Sequence, residues 1–400
     1  MTLRAWSWGI FLFFIGTLGR PIYSTVVDDL IVNSNTLGQK LITRTSSQNP
    51  TANCVIAPSS IIVTLGMIGS GASGKTRSDW QAALGLSHRK SSDIGRGFSI
   101  LHSLLTDPTF DVTFTTFDSM WISTESHPLD AFIKYNTEFF DTDVQRINFR
   151  STDALPTIQK WVSSKTNQLI RNFPPNIDPS TSLLVLNTLY FKGDWQFPFN
   201  PKHSDTRLFI SPGLPPKQTQ FMIQNGHFQF AETRDTQAIV LPYGEGRFEL
   251  VIVSPRKWNP KHLPWEWITT SPPESFNETQ VTLVMPKFKL TAKTVLRQGL
   301  SDNGFQSLFS PRADFSAIGP NVRLSDLLQQ VVISIDETGT RAAAVTGAVL
   351  GVTSVAKKPS PGSLILTRPF LYALRDTISG LYLFVGTYVY PEEEPNVSPN

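Results

Sequence analysis

Residues 187–195 read Asn-Thr-Leu-Tyr-Phe-Lys-Gly-Asp-Trp, and they extend an apolar and β-branched run that begins at Leu183. The run closes at Gly193 and Asp194, two residue types that interrupt strands. Short runs of this kind predict β-strands, and others follow at residues 249–253, 280–285, 331–335 and 381–390. The C-terminal half of the chain is therefore predicted to consist mainly of strands.

The N-terminal half has the residue spacing of helices instead. Apolar residues fall near helical spacing from Val27 to Ile42, and again from Leu155 to Leu169 around Trp161. Helices first and strands later predict an α+β fold with a large, mostly antiparallel sheet. The 29 prolines are scattered and no linker divides the chain, so one domain is expected over residues 20–400.

The first residues resemble a secretory signal. Arg4 precedes an apolar run over residues 6–18, which is too short to span a membrane, and the small residue Gly19 follows it. Residues 1–19 are therefore predicted to be a signal peptide cleaved after Gly19. We expect a secreted, extracellular protein with no membrane anchor.

Charge and cysteine content narrow the possible partners. The net charge of +3 is not gathered on a recognition helix, which argues against a nucleic-acid partner. The cluster at residues 88–90 could touch a polyanion but is more typical of a solvated loop. The single cysteine, Cys54, lies among apolar residues and is predicted to be a buried, inert thiol. Asn277 begins an Asn-Glu-Thr glycosylation sequon in a segment predicted to be a polar loop.

One motif suggests a nucleotide-binding enzyme. Residues 69–76, Gly-Ser-Gly-Ala-Ser-Gly-Lys-Thr, satisfy the phosphate-binding pattern of a P-loop, and Asp336 after an apolar run could supply a metal ligand. A secreted chain whose elements do not alternate between strand and helix fits this interpretation poorly. HExxH and GxSxG motifs are absent and the six histidines are isolated, so we expect no enzyme, no metal and no cofactor.

Six segments, read in order, resemble the serpin family over nearly the whole mature chain. The stretch at 187–195 is the most specific. The remaining matches are residues 53–71 (the family's first core helix and the Gly-rich turn after it), 161–167, 284–288, 336–344, and the C-terminal pair 368–370 and 383–391. The resemblance implies helices packed on large sheets, with an exposed reactive loop at about residues 337–367. It also reassigns the P-loop match as the turn after a helix.

The segment after Gly339 has the side chains of a strand that could enter a sheet. Glycine allows a sharp change of backbone direction, and small residues follow it. With a period of two, Thr340, Ala342 and Ala344 share one face, while Arg341 and Ala343 share the other. The only charge of this stretch, Arg341, is on the second face, so the first face is free to be buried.

The resemblance assigns roles to residues of this chain. It implies a suicide-substrate inhibitor of a serine protease: the loop is cut, an acyl-enzyme forms, and the loop inserts into the main sheet. We predict an ion pair between Lys287 and Glu337, near Trp195, at the top of that sheet. The hinge comprises Glu337, Gly339, Thr340, Arg341, Ala342, Ala343 and Ala344, and the sheet-opening region comprises Asn53, Pro58, Ser60, Asn187, Gln329, Trp195 and Lys287.

The chain departs from the family pattern within these regions. Ala57 replaces the usual serine and Gln329 the usual histidine, so a hydrogen bond to Asn187 must be made differently; the amide of Gln329 is able to donate it. In the hinge, Arg341 replaces the usual acid. Neither a proline nor a charge lies on the hinge face to be buried, which favours inhibition over the alternative of a carrier, chaperone or signalling serpin.

Two ways of counting place the reactive bond differently. Counting forward from the hinge gives Thr353 and Ser354, whereas counting back from Pro369 gives Lys358, with Lys357 beside it. We favour the forward count, because an inserted strand from residue 340 to 353 spans roughly 45 Å at ~3.3 Å per residue, and this length sets how tightly a protease is pulled. A target that accepts small side chains, such as an elastase-like protease, is expected, with a trypsin-like one as the alternative. The inhibitor is expected to be a monomer.

Overall fold

The computed structural model describes residues 25–106, 112–140, 142–166, 168, 170–268, 276–340 and 362–392. The predicted signal peptide lies outside these ranges. So do hinge residues 341–344 and the candidate reactive-bond residues 353, 354, 357 and 358.

Seven α-helices lie within the described residues. They are α1 (Thr25–Gln48), α2 (Pro58–Ser70), α3 (Gly74–Ala83), α4 (Ser91–Leu105), α5 (Asp130–Phe140), α6 (Ala154–Lys165) and α7 (Arg297–Leu300). The helical spacing predicted from Val27 to Ile42 is confirmed, because α1 buries these residues on one face. Helix α2 is almost entirely buried and carries no charged residue.

The strands are also numbered along the chain. They are β1 (Cys54–Ile56), β2 (Thr113–Ser123), β3 (Asp143–Ile147), β4 (Leu183–Asp194), β5 (Asp205–Phe209), β6 (Lys217–Glu232), β7 (Thr236–Tyr243), β8 (Phe248–Pro255), β9 (Asn277–Pro286), β10 (Phe288–Val295), β11 (Leu324–Ile335), β12 (Gly339–Thr340), β13 (Gly362–Ile365), β14 (Phe370–Asp376) and β15 (Tyr382–Tyr388). The predicted strand runs correspond to β4, β8, β9, β11 and β15. The helical interpretation of the N-terminal half missed β2, a long strand of the main sheet.

The strands form two sheets. A nine-stranded sheet has the order β1, β15, β14, β8, β7, β6, β9, β13, with β5 paired to β6. The six-stranded main sheet has the order β10, β11, β12, β4, β2, β3. Three pairs within the described residues are parallel, namely β11 with β4, β13 with β9, and β2 with β3, and the other pairs are antiparallel. The predicted α+β fold with mostly antiparallel sheets is confirmed.

The two faces of the main sheet have different partners. Its inner face, with Leu189 of β4 and Ile333 of β11, joins the connected core that also includes α1, α2 and the second sheet. Its outer face is covered by α6, whose Ile158 and Val162 pack against Trp121 of β2. Neighbouring residues on each strand therefore belong to different layers, as the period of two requires.

The P-loop match does not form a phosphate site. Residues 69–76 comprise the end of α2, a turn at Gly71 and the start of α3. A P-loop requires a strand before the glycines, and here a helix precedes them. The glycines are used for packing: a Cβ at Gly69 would lie 2.1 Å from the ring of Trp80, and one at Gly71 would lie 2.2 Å from Ile318.

Candidate functional site: the insertion gap of the main sheet

Two central strands of the main sheet, β11 and β4, are paired in parallel, and we call the boundary between them, where the loop is predicted to insert, the gap. They pair from Leu324 opposite Leu183 to Val332 opposite Tyr190, with a register shift between Leu324 and Asp326. Above this zone β12 lies between them, antiparallel to both, with Thr340 opposite Ile335 on one side and Gly193 on the other. The hinge of the predicted reactive loop therefore already contributes the first residues of an added strand.

Thr340 is anchored inside the core. Its side chain is fully buried, and its hydroxyl lies 2.6 Å from the hydroxyl of Tyr243. The Tyr243 ring stacks on Trp195 with centroids 4.3 Å apart. Gly339 makes this approach possible, because its φ is +153° and a Cβ there would lie 2.0 Å from the carbonyl oxygen of Gly193. Thr340 is thus buried at the point where the hinge begins.

A turn at residues 336–339 positions the hinge above the gap. The Asp336 carboxylate accepts hydrogen bonds from the backbone N–H of Thr338 at 2.9 Å and of Gly339 at 3.3 Å. Trp195 holds this turn from the β4 side: its indole N–H donates to the Asp336 carbonyl at 2.9 Å, and its backbone N–H donates to the Thr338 carbonyl at 2.8 Å. Trp195 thereby fixes where the loop leaves β11.

An ion pair lies beside this turn. Lys287 Nζ is 3.0 Å from Glu337 Oε2, and the Ser204 hydroxyl donates to Glu337 Oε1 at 2.9 Å. The Glu337 side chain is 12 % exposed and that of Lys287 is 39 % exposed. Burial raises the pKa of the Glu337 carboxyl, but a backbone hydrogen bond, Lys287 and Ser204 together outweigh burial and lower that pKa. The carboxylate is therefore ionised at neutral pH and paired.

A hydrogen-bonded network crosses the parallel zone further down. Gln329 of β11 donates through Nε2 to Asn187 Oδ1 of β4 at 2.7 Å. Gln329 also bonds both backbone groups of Ala57, accepting from its N–H at 3.0 Å and donating to its carbonyl at 3.2 Å. Asn187 Nδ2 donates to the Ser60 hydroxyl of α2. Gln329 thus makes the cross-strand bond to Asn187 and holds the chain just before α2.

Asp118 belongs to this network and sequence reasoning missed it. It lies on β2 directly opposite Asn187, whose Nδ2 donates to Asp118 Oδ1. The Thr64 hydroxyl of α2 donates to the same oxygen at 3.0 Å. Burial raises the pKa of the Asp118 carboxyl to about 6, against the opposing effect of the bonds from Asn187 and Thr64. The available signal was a lone acid within the apolar run of residues 112–122.

Two residues assigned to the sheet-opening region lie at its periphery. Asn53 binds the chain after β15, accepting from the backbone N–H of Val389 at 2.6 Å and donating to the Tyr390 carbonyl at 2.6 Å. Pro58 is the first residue of α2, and a Cβ at Gly38 would lie 2.4 Å from its ring. Within the described residues, neither Asn53 nor Pro58 is hydrogen-bonded to Gln329 or Asn187.

Other predicted residues are placed as follows. Asn277 is exposed, but it is the first residue of β9 opposite Phe230 rather than part of a loop. The loop assignment of the sequon was wrong because the strand starts before the β-branched run that marks it. Cys54 is buried in β1, which confirms the predicted buried thiol, and burial raises the pKa of that thiol. No helix of the described ranges is long and apolar enough to cross a membrane.

The fold consists of two large sheets packed with helices, and the short strand β12 lies between β11 and β4 of the main sheet. The family model for Serpin (serine protease inhibitor) matches residues 32–391. Iripin-3 of Ixodes ricinus is 29% identical over 382 residues, covering 90% of this chain and 94% of that protein. Glia-derived nexin of Mus musculus is 29% identical over 372 residues, covering 89% and 91%.

Solved structures agree on the fold. Native protease nexin-1, crystallised with heparin, has a TM-score of 0.80 at 24% identity, over 92% of this chain and all of that one. Thyroxine-binding globulin in complex with thyroxine has a TM-score of 0.78 at 22% identity, over 93% of this chain. The chain belongs to the serpin family, whose members are protease inhibitors rather than enzymes in most cases.

We predict that Glu337→Lys weakens the closure of the gap. The change replaces the attraction to Lys287 by repulsion and removes the acceptor for Ser204, costing about 2 kcal/mol after solvent screening of Lys287. The expected results are an unfolding temperature lowered by several degrees in differential scanning calorimetry, and oligomers in size-exclusion chromatography.

Glu232→Lys is the matched control, because its partner Arg256 and Glu232 itself are both well exposed. This change should alter the unfolding temperature by less than about a degree. A Glu337→Lys protein that stays monomeric and unfolds like the wild type would show that the ion pair does not hold the gap.

Proposed function

We propose that this serpin is a secreted suicide-substrate inhibitor of a serine protease. The protease serine Oγ attacks the carbonyl carbon of Thr353, and the Thr353–Ser354 peptide bond breaks. The serine proton passes through the protease histidine to the new amino terminus at Ser354. An ester between Thr353 and the protease remains, and the freed loop then enters the main sheet.

The observation that carries this proposal is the position of Thr340. Its buried side chain and the β12 pairing make it the first residue of a strand between β11 and β4. Once the loop is cut, residues after 340 are able to continue in the same direction. The side chains that follow on its face, Ala342 and Ala344, are small enough for the same layer.

Insertion also improves the hydrogen bonding of the sheet. A strand continuing from β12 would replace the parallel β11–β4 pairing by two antiparallel pairings. Antiparallel pairs are slightly more stable per residue, and the new strand adds its own backbone bonds. The intact loop is tethered at both ends and cannot reach these bonds, which explains how the native fold stores free energy.

The free energy released by loop insertion would distort the attached protease. Hydrolysis of the acyl-enzyme needs the protease oxyanion donors and histidine within about an ångström of their working positions. Pulling the ester roughly 45 Å along the sheet distorts that geometry and leaves the covalent complex unhydrolysed. We propose no catalytic activity and no cofactor for the serpin itself.

The competing function is that of a carrier, chaperone or signalling serpin. The shared fold does not distinguish an inhibitor from a carrier, since thyroxine-binding globulin in complex with thyroxine has a similar fold. Two features of this chain favour inhibition: the hinge has no proline, and the only charge of the hinge after Gly339, Arg341, falls by the period of two on the face opposite to that of Thr340. We further propose a monomer with one domain over residues 20–400, a glycan at Asn277, and an elastase-like rather than a trypsin-like target.

We predict that a single cut in the reactive loop stabilises the protein strongly. If about ten new backbone bonds each contribute about 1 kcal/mol, the unfolding temperature should rise on the order of 20 °C or more. Scanning calorimetry before and after a clean nick measures this without knowledge of the target. An unchanged unfolding temperature would refute the inhibitory mechanism.

Thr340→Arg should convert the inhibitor into a substrate. A guanidinium in the strand position that Thr340 already fills would be buried beside Tyr243 without a counter-charge, so residue 340 would leave that position and the strand would lose the residue from which insertion starts. After incubation with a target protease, the covalent complex resistant to boiling in detergent should fall at least tenfold, while loop cleavage continues. Arg341→Glu is the matched control and should keep the complex, because position 341 faces the other way. Equal complex formation by both variants would contradict the assignment of the buried face.

The reactive bond is tested by the peptide released from the denatured complex. Mass spectrometry should find a C-terminal fragment that begins at Ser354, since this bond keeps the tether short and tight. A fragment that begins at Lys358 or Pro359 would assign the bond to Lys357 or Lys358, and the expected target would then be trypsin-like.

A further inference from the structure

Asp118 is a half-buried acid on a strand of the main sheet, and none of its hydrogen bonds in the described residues comes from a cationic side chain. By the period of two it shares the inner face of β2 with Met120 and Ile122, which are fully buried. Its oxygen Oδ1 accepts two hydrogen bonds, one from Asn187 and one from Thr64. Both bonds go to Oδ1, and neither brings a positive charge.

The neighbouring elements offer no compensating charge. Helix α2 has no charged residue, and Lys192 and Asp194 lie near the far end of β4. On β3, Asp143 accepts from the indole of Trp161 in α6 and so faces the outer side of the sheet. The remaining charges of these elements are Arg146 of β3 and Asp326 of β11. No charged group of the described residues is among the causes that shift the pKa of Asp118.

The Asp118 contacts connect parts of the molecule that must separate when the gap opens. Gln329 holds the chain just before α2 through its two bonds to Ala57, and we therefore expect α2 to stay with β11 when the gap opens, so that its Ser60 loses the bond from Asn187. Asn187 and Asp118 are on the opposite side, on β4 and β2. Opening therefore breaks the Gln329–Asn187 bond and slides Asp118 away from Thr64.

We propose that Asp118 controls how readily the main sheet opens: its ionised carboxylate loosens the closed sheet at neutral pH, and its protonation in mildly acidic surroundings holds the sheet closed. The proposal rests on the function proposed above, because it concerns the same gap. It makes Asp118 a positioning residue, since it acts through Asn187 and Thr64 and does not touch the inserting loop or the protease.

The direction of the pH effect depends on whether the closed or the opened sheet binds the Asp118 proton more tightly. In the closed sheet, burial raises the pKa of Asp118 to about 6, whereas a hydrated aspartate has a pKa of about 3.9. The closed sheet therefore binds the proton more tightly than the opened one. Stabilisation of the closed sheet is fully present below about pH 4 and is lost as the pH rises through 6. From pH 7 to pH 5, opening should slow by up to about tenfold.

The test measures gap opening without a protease. A synthetic, N-acetylated peptide with the sequence of residues 340–353 carries a fluorophore, and fluorescence anisotropy follows its uptake by the native protein between pH 7.5 and 5.0. Its only charged side chain, Arg341, does not titrate in this range. Glu337 also stays ionised there, because its pKa is lowered, so the Lys287 ion pair is unchanged.

The decisive variant is Asp118→Asn, which keeps an acceptor oxygen for Asn187 and Thr64 but has no charge. Wild-type uptake should slow several-fold to tenfold on acidification, whereas the variant should be slow at every pH. Thr64→Val, which removes one bond to the carboxylate, should move the wild-type midpoint to higher pH. The histidines are common to all three proteins and act as an internal control.

Two results would overturn the inference: an Asp118→Asn protein with the pH dependence of the wild type, or one that takes up peptide faster than the wild type at pH 7. If neither the wild type nor either variant takes up the peptide, loop insertion itself is refuted. The Asp118 inference is then decided by calorimetry, in which the wild type should gain thermal stability from pH 7 to pH 5 and Asp118→Asn should not.

Discussion

One pairing of strands, that of β11 with β4, closes the centre of the main sheet, and the proposed inhibition depends on whether this pairing can open. β11 and β4 are paired in parallel, and the side-chain bond that crosses their buried zone runs from Gln329 to Asn187. A parallel pair supported by a side-chain bond is weaker than the two antiparallel pairs that an added strand would form. On the proposed mechanism, the native fold therefore stores free energy at this pair, and not in the core as a whole.

The two ends of the gap are held by different kinds of interaction. At the top, Lys287 and Glu337 form a partly exposed ion pair, and Thr340 already fills the first strand position. Lower down, the network around Asn187 is buried and polar, and it includes the unbalanced charge of Asp118. The upper contacts stabilise the closed sheet at neutral pH, whereas the role proposed for Asp118 is to destabilise it. The proposed function requires both effects, because the sheet must stay closed before cleavage and open soon after it.

Helix α2 connects these effects to the core. It has no charge of its own and is buried from Pro58 onward, so its hydroxyls of Ser60 and Thr64 serve the polar residues of β4 and β2. The backbone of Ala57, just before this helix, is bonded to Gln329 of β11. The helix therefore contacts both sides of the gap: the chain before it is bonded to β11, and its own hydroxyls are bonded to β4 and β2.

The sequence by itself determined the fold class, because the run at residues 187–195, the hinge after Gly339 and the order of helices and strands are local patterns. It also indicated the alternation of the hinge, since a period of two needs no knowledge of distant residues. Only the tertiary structure decided what lies across the gap. Asp118 and Tyr243 were not predicted because their roles come from neighbours 69 and 97 residues away in the chain. Burial and hydrogen bonding between such distant residues are set by packing, and a single sequence carries no local record of them.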